Sequence, residues 1–506
     1  MDCLGPVRSL ITDRSVTLYW EKPEAFKKDD RYQIFLDGAL SGDTDQTHYE
    51  LEELEADREY RVRIRQTGTQ TAASDEFLLK TQKNKTRLDI TKPPYNAVGD
   101  GKSMNTRAIQ RAIDDCTAQD VVYIPASVFL TGALRLHSDM ELYLAPDAVL
   151  QGTDRAEDYL PKISSRFEGT ELPCYSSLLN LGTLDRSGGY TCRNVAIRGK
   201  GTVASGGKSL AKNVVAAERE RLKKRLASLG DGIAEYEKPE TIPGRVRPRL
   251  INLSNCQNVS ISGLTLKNGA SWNFHMIYSD GIVTNGCTFH SEEVWNGDGW
   301  DPDSSSNCTI FDCVFSTGDD AISIKSGKNP EGNLIGRPCE HIRIFDCRSV
   351  FGHGITIGSE MSGGVRDVAI WDCDMGESLC GIEIKGTKKR GGYVRDVHVR
   401  DCRTSRIQFH SVGYNDDGVG APEPPVFEKC TFDSVRVLGK CLGDRGEWIP
   451  CEAITICGFD EPGHELNEIV FRHITIEDLG LDGRQAVSLQ NCRAITFQDL
   501  SVQDSR

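Results

Sequence analysis

Residues 295–325 read WNGDGWDPDSSSNCTIFDCVFSTGDDAISIK, and they place Asp298, Asp301, Asp303, Asp312, Asp319 and Asp320 among short apolar runs. The runs Cys308-Thr309-Ile310-Phe311 and Ala321-Ile322-Ser323-Ile324-Lys325 alternate apolar and polar residues with a period of two, the pattern of half-buried strands. Ser316-Thr317-Gly318 makes the turn between them, so Asp319 and Asp320 sit where a turn enters a strand. The preceding turn, Asn296-Gly297-Asp298-Gly299, has the composition of positive-φ backbone. If consecutive strands stack as coils, both turns lie one rung apart on one face, and Asp298 joins the Asp319/Asp320 pair in one cleft.

Working outward, the same strand signal recurs without helices between the strands. It is seen at residues 121–124, 141–144, 194–197, 258–261, 341–344, 367–370, 396–399, 468–471 and 494–497. From Cys287 onward, aligned cysteines follow at spacings of 26, 34, 26 and 29 residues. A loose period of this size, built of strands and Gly/Asn/Asp turns, predicts a right-handed parallel β-helix. A βαβ sheet needs a helical crossover at every step and is excluded by the pattern; a jelly-roll sandwich is the weaker alternative. Residues 106–116 carry Ala108, Ile109, Ala112, Ile113 and Cys116 on one helical face, suited to capping the open first coil. Residues 209–229 are rich in charged helix formers and predict a surface helix beside the cleft.

The first 83 residues differ in kind. Ser15-Val16-Thr17-Leu18-Tyr19-Trp20, Tyr32-Gln33-Ile34-Phe35-Leu36 and Tyr60-Arg61-Val62-Arg63-Ile64 alternate at sandwich-like spacing, with Trp20 as the expected core tryptophan. Leu54 followed by Tyr60 resembles the leucine and corner tyrosine of fibronectin type III domains. The polar, basic stretch at 81–87 marks the boundary, giving domains 1–83 and 84–506. The first domain has several open readings: carbohydrate or partner binding, a spacer, or a lid.

Composition narrows the partners. A net charge of −14, from 60 Lys and Arg against 74 Asp and Glu, argues against nucleic acid or an anionic membrane. An acidic substrate would have to be held by local cations. The start, MDCLGPVRSL, has no hydrophobic signal core, which leads to the expectation of a cytoplasmic protein. Eighteen cysteines in 506 residues fall below the density of a disulfide scaffold. Cys313, Cys347, Cys373 and Cys402 each follow an aspartate at one point of the repeat and read as stacked, reduced core residues. No CxxC pair suggests a structural metal, and no cofactor is expected.

Crowded carboxylates repel, so at least one keeps a proton near neutral pH. A protonated acid beside an ionised base is what hydrolysis of a glycosidic bond uses; a calcium site and solvated turn aspartates are the alternatives. Taken in order, Asn296-Gly297-Asp298, Gly318-Asp319-Asp320, Gly352-His353-Gly354 and Ile384-Lys385 resemble the four signature segments of glycoside hydrolase family 28, the polygalacturonases. The 21-residue separation of Asp298 and Asp319 fits that family as well. Residues 358–365 and the long segment between Asp320 and His353 look more like its exo-acting members.

The resemblance implies inverting hydrolysis of a pectic oligosaccharide. Asp319 would be the general acid, Asp298 and Asp320 would hold and deprotonate water, and His353 would tune the acid. Asn296 and Lys385 would hold substrate. Asp301 and Asp303 read as braces of the turn, and Trp272, His275 and Trp300 as candidate sugar platforms or core residues. The sequence departs from the family at Gly381-Ile382-Glu383-Ile384-Lys385, where Glu383 stands in place of the usual arginine. Two like charges about 4 Å apart at a surface-like dielectric cost about 4 kcal/mol, so Glu383 is expected to repel a uronate. Either Arg390, in the cluster Lys388-Lys389-Arg390, supplies the missing cation, or the sugar there is neutral, as in rhamnogalacturonan, with Glu383 accepting its hydroxyls. A β-helix polysaccharide lyase and a non-catalytic pectin-binding protein are the alternatives of other classes.

Overall fold

The computed structural model describes residues 2–503, apart from 25, 28, 69–71, 231, 233–238, 415 and 478–484. The backbone forms two compact units, Met1–Arg87 and Leu88–Arg506.

In the second unit the anticipated strands fall on observed ones, for example 341–344 in Cys339–Phe345 and 367–370 in Val365–Trp371, while the run 321–325 is shortened to Ile322–Ile324. Coils stack in parallel. Ser306–Phe311 pairs with Cys339–Phe345, which pairs with Val365–Trp371, which pairs with Tyr393–Arg400. A second face runs beside it, Val314–Ser316 pairing with Arg348–Phe351. The third face is an 11-stranded sheet in which Trp300–Asp303, Ile322–Ile324, Gly354–Ile357 and Gly381–Gly386 follow one another. This is a parallel β-helix.

Its core consists of ladders of like residues, because parallel register puts equivalent positions of successive coils about 4.8 Å apart. Ile310, Ile344, Ile370 and Val399 form one buried row. Phe311, Phe345 and Trp371 stack in another, with centroids 4.8 and 4.4 Å apart. The repeated Asp-Cys pair now has a backbone reason. Asp312, Asp346, Asp372 and Asp401 turn the corner between two faces with φ of 53°, 49°, 53° and 54°. Asp and Asn tolerate that conformation better than other side chains do. Each following cysteine then points inward, and Cys313, Cys347, Cys373 and Cys402 are all buried with free thiols.

The capping helix forms at Thr106–Asp114, with Ile109, Ala112 and Ile113 buried. The insertion helix spans Gly207–Leu229, and it is more embedded than its charged composition suggests. Leu210, Ala211, Val214 and Val215 are buried upstream of the charged stretch. Glu218 is buried too, held by Lys162 at 2.7 Å and Arg221 at 2.7 Å. An antiparallel hairpin, Ile163–Phe167 with Thr170–Cys174, interrupts the coils and gave no clear sequence signal.

The first unit consists of two sheets, antiparallel except where Asp2–Cys3 pairs parallel with Ala72–Ala73. One contains Arg8–Ile11, Val16–Tyr19 and His48–Leu51; the other is built on Arg31–Leu36, Ala39–Thr44, Glu59–Thr67 and Phe77–Lys80. Trp20, Tyr32, Leu54 and Tyr60 share its core.

The row geometry predicts a sharp contrast in stability. Ile370→Ala opens a cavity between coils and should cost about 2–5 kcal/mol, whereas Val314→Ala, at a position 38% exposed, should cost no more than about 0.5 kcal/mol. Denaturant midpoints of the two variants check this; equal midpoints would contradict the row.

Candidate functional site

The register of the third face assembles the site. Gly299 N donates to Asp320 O at 3.0 Å and Trp300 N to Ala321 O at 3.1 Å, so Asp298 lies one rung from Asp320. His353 N donates to Asp319 O at 2.9 Å and Ala321 N to Gly354 O at 2.9 Å, which puts the histidine on the next rung. Ile357 pairs with Ile384 and brings Lys385 to the rung after that. Gly352 and Gly354 have φ of 114° and 99°. A Cβ on Gly352 would lie 2.3 Å from Thr317 Oγ1, and one on Gly354 would lie 2.2 Å from Gly381 O. No other residue fits on either side of His353.

These side chains line a cleft of about 610 Å³ that includes Asn296, Asp298, Asp319, Asp320, His353 and Lys385. His353 Nδ1 meets both neighbouring aspartates, Asp319 Oδ1 at 3.0 Å and Asp320 Oδ1 at 3.5 Å. One imidazole thus bridges the adjacent pair. Asp319 is a quarter exposed and Asp320 is buried. Thr356 Oγ1 donates to Asp320 Oδ1 at 2.8 Å. Asn296 reaches Asp319 Oδ2 at 3.5 Å and is itself held by Arg247 Nη2 at 2.6 Å.

Burial and neighbouring charge divide the protons. Burial opposes the charge on Asp320, but Lys385, His353 and Lys325 outweigh it and hold its pKa well below the carboxylate range. Burial likewise opposes the His353 imidazolium, yet Asp319 and Asp320 raise its pKa to about 12. Asp298 goes the other way: burial, then the charge of Asp301, pushes its pKa well up. Burial also raises Asp301, to about 7, against the pull of Lys325. The retained proton expected from the sequence therefore sits on the Asp298/Asp301 pair. Lys325 lies between them, 3.3 Å from Asp298 and 3.4 Å from Asp301, with Glu360 at 3.8 Å.

Several placements differ from the sequence expectations. Glu383 does not line the cleft. It is buried, salt-bridged to Lys385 at 2.7 Å and to His410 Nε2 at 2.7 Å. Burial favours its neutral form, but Lys385 and His410 hold its pKa down to about 2. Its charge is thus spent inside the wall, and the expected repulsion of a uronate falls away. Arg390 is also buried, with Nε donating to Ser359 O at 3.0 Å and Nη1 to Asn329 Oδ1 at 2.6 Å; it braces the loop at 358–364, and the lysines that line the cleft are Lys325 and Lys385. Trp300 is fully buried in the β-helix core, and His275 is buried with Nε2 3.3 Å from Asp303. Trp272 alone of the three candidate platforms lines the cleft, under Lys325 Nζ at 4.7 Å. Asp303 braces as expected, accepting from Arg166 Nη1 at 2.6 Å and Gly327 N at 3.1 Å.

Sequence reasoning missed the residues that tie the cleft walls together. Arg245 bridges Glu168 of the hairpin at 2.7 Å and Asp417 bidentately at 3.0 Å, and Lys328 also pairs with Asp417. Glu168, Glu360 and Tyr414 line the cleft. These residues lie far apart in the chain, and nothing in local pattern joins them. Among the described residues, Asp319, Asp320 and His353 are the cluster whose donor atoms converge closely enough, within 4.8 Å, to hold a cation.

Residues 187–415 match the profile described as Glycosyl hydrolases family 28. The chain is 31% identical to a "Probable polygalacturonase" of Vitis vinifera over 72% of each protein. It is 28% identical to an "Exo-poly-alpha-D-galacturonosidase" of Dickeya chrysanthemi, over 98% of this chain and 89% of that one. In fold it is similar to a family 28 exopolygalacturonase of Yersinia enterocolitica, with a TM-score of 0.80, 22% identity and 99% of both chains covered. It is also similar to a hyperthermoactive exopolygalacturonase of Thermotoga maritima, with a TM-score of 0.67, 25% identity, and 82% and 91% of the chains covered.

The Lys325 cluster makes a pH-dependent prediction. Lys325→Met leaves buried carboxylates without their cation and should cost about 3–5 kcal/mol near neutral pH. Groups whose folded pKa is raised above the unfolded value lose stability as pH rises, so the loss should shrink between pH 7 and pH 5 as Asp301, raised to about 7, takes up its proton. Thermal midpoints across that range check it; a loss independent of pH would contradict the assignment.

Proposed function

The chain belongs to family 28 of the glycosyl hydrolases, and on that premise we propose that it is an inverting exo-polygalacturonase that removes units from the end of α-1,4-linked galacturonate oligomers. The observation that carries the reading is the convergence of Asp298, Asp319, Asp320 and His353 on one cleft that also holds Lys385.

In this mechanism Asp319, the more exposed of the adjacent pair, protonates the departing glycosidic oxygen. The His353 imidazolium, 3.0 Å from Asp319 Oδ1, keeps its own proton and positions the carboxyl group, and the quarter-exposed Asp319 takes its proton from solvent. Asp320 is held ionised by Lys385, His353 and Lys325, and it takes the proton of the water that attacks the anomeric carbon from the opposite side. Asp298 orients that water. Donor atoms of Asp319 and Asp320 lie within 4.8 Å of one another, closer than the roughly 6.5–9.5 Å usual for inverting pairs, so inversion is carried by the family likeness and not by the carboxyl separation. Lys385 meets the uronate carboxylate, and the pairing of Glu383 with Lys385 and His410 removes the objection to a charged sugar.

Exo action is supported by the likeness to the exo-poly-α-D-galacturonosidase over 98% of the chain. For the first unit we propose a fibronectin type III-like sandwich. Support comes from its antiparallel sheets, the core Trp20 and the corner Tyr60, whose Oη accepts from Glu55 N at 2.8 Å. The right-handed sense of the β-helix follows the general preference for parallel crossovers. Cytoplasmic residence is part of the proposal, supported by the buried row Cys313, Cys347, Cys373 and Cys402 with reduced thiols; appearance of the protein in an extracellular or periplasmic fraction would refute it.

Digestion of saturated galacturonate oligomers tests the activity. Short products should appear from the first minutes with no unsaturated uronate, and EDTA should leave the rate unchanged. An unsaturated product or loss of rate in EDTA would indicate a lyase, and cleavage of rhamnogalacturonan oligomers alone would refute the substrate. Asp319→Asn should lower kcat by about 10²–10⁴ with KM little changed; a variant with parental kcat would remove Asp319 from the acid role.

A further inference from the structure

The first unit presents a cationic, partly apolar sheet face that the hydrolytic cleft does not use. Strand Glu59–Thr67 alternates buried Tyr60, Val62 and Ile64 with exposed Arg61, Arg63 and Arg65. Period-two alternation puts the three guanidinium groups on one side, about 6.6 Å apart along the strand. Registered pairing sets Phe35 opposite Arg63 on one neighbouring strand and Leu78 opposite Arg61 on the other, while Leu40 lies opposite Phe35. Leu40 and Leu78 are 56% and 57% exposed. Arg61, Arg63, Arg65 and Phe35 line a groove of about 230 Å³.

Compensation on this face is slight. Arg61 lies 3.8 Å from Glu76, long for an ion pair between exposed groups. Arg65 stacks over the Phe35 ring at 5.3 Å and donates to the uncharged Gln33. Arg63 has no acidic partner among the described residues. In a protein of net charge −14 the bulk field opposes an outside anion, so any attraction must be local to this strip.

We propose that this face is a second binding site, for an extended chain of uronate sugars. Planar guanidinium groups take carboxylates bidentately. A row of them at regular intervals suits a polymer that bears one carboxylate per sugar, and Phe35, Leu40 and Leu78 offer the apolar surface on which pyranose faces rest. Such a site would raise the local concentration of polymer without contributing to the cleft's chemistry. The choice of a uronate chain rests on the function proposed above.

The test compares the full-length Asp319→Asn protein, which holds polymer uncut, with the same protein carrying Arg61→Thr, Arg63→Thr and Arg65→Thr. In affinity electrophoresis through polygalacturonate at low salt the second should bind about tenfold more weakly, the order of one charge-assisted contact. The Arg63→Thr variant alone should give a smaller loss in the same direction. With Asp319 restored, the triple variant should show a raised KM on long polymer and unchanged kinetics on trigalacturonate. Unchanged polymer binding overturns the site. Equal weakening towards DNA or dextran sulfate overturns its uronate character, as does a fall in thermal midpoint large enough to account for the loss. Failure of the parent enzyme to cut trigalacturonate would instead refute the function of the cleft, because the binding comparison is made in a protein that does not cut.

Discussion

Backbone hydrogen bonds between successive coils are the constraint on which the site depends. Each coil adds one strand to each face, so residues at equivalent positions become neighbours about 4.8 Å apart however many residues separate them in the chain. Asp298, Asp320, His353 and Lys385 converge because Gly299, Asp319, Gly354 and Ile357 are hydrogen-bonded or paired in consecutive rungs. The same register stacks Ile310, Ile344, Ile370 and Val399 inside. Core and cleft are thus two sides of one ladder, and a slip in register would disperse both.

A ladder that concentrates carboxylates must also manage their repulsion. It does so with cations from neighbouring rungs. Lys325 stands between Asp298 and Asp301, His353 between Asp319 and Asp320, and Lys385 between Asp320 and Glu383. These pairings give adjacent acids opposite behaviour: Asp320 ionises readily, while Asp298 and Asp301 retain a proton. That inequality keeps Asp320 ionised, as a base must be, beside neighbours that stay neutral. The burial that separates the pKa values also makes each cation indispensable to its partners.

Most of the β-helix could be read from local signals. Period-two strands, positive-φ aspartates before inward cysteines, and the capping helix depend on residues close in sequence. The cleft's aspartates and histidine were legible for the same reason, since each lies in a short glycine-bearing turn. Glu383 and Arg390 were misplaced because a strand pattern gives the face a side chain leaves from but not its partner. His410, 27 residues further on, draws Glu383 into the wall, and Asn329 and Ser359 draw Arg390 behind the loop. Trp300 could not be told from a sugar platform until its indole was seen in the core, donating to Thr284.

The sequence by itself determined the kind of scaffold, the order of the site-bearing turns and the residues able to do acid and base chemistry, because periodicity and turn chemistry are short-range properties of the chain. Tertiary structure alone decided which carboxylate keeps a proton, which cation faces the cleft and what ties its walls. Those outcomes depend on burial and on charges brought together from distant coils, as Arg245 joins Glu168 to Asp417, and no local pattern encodes such distances.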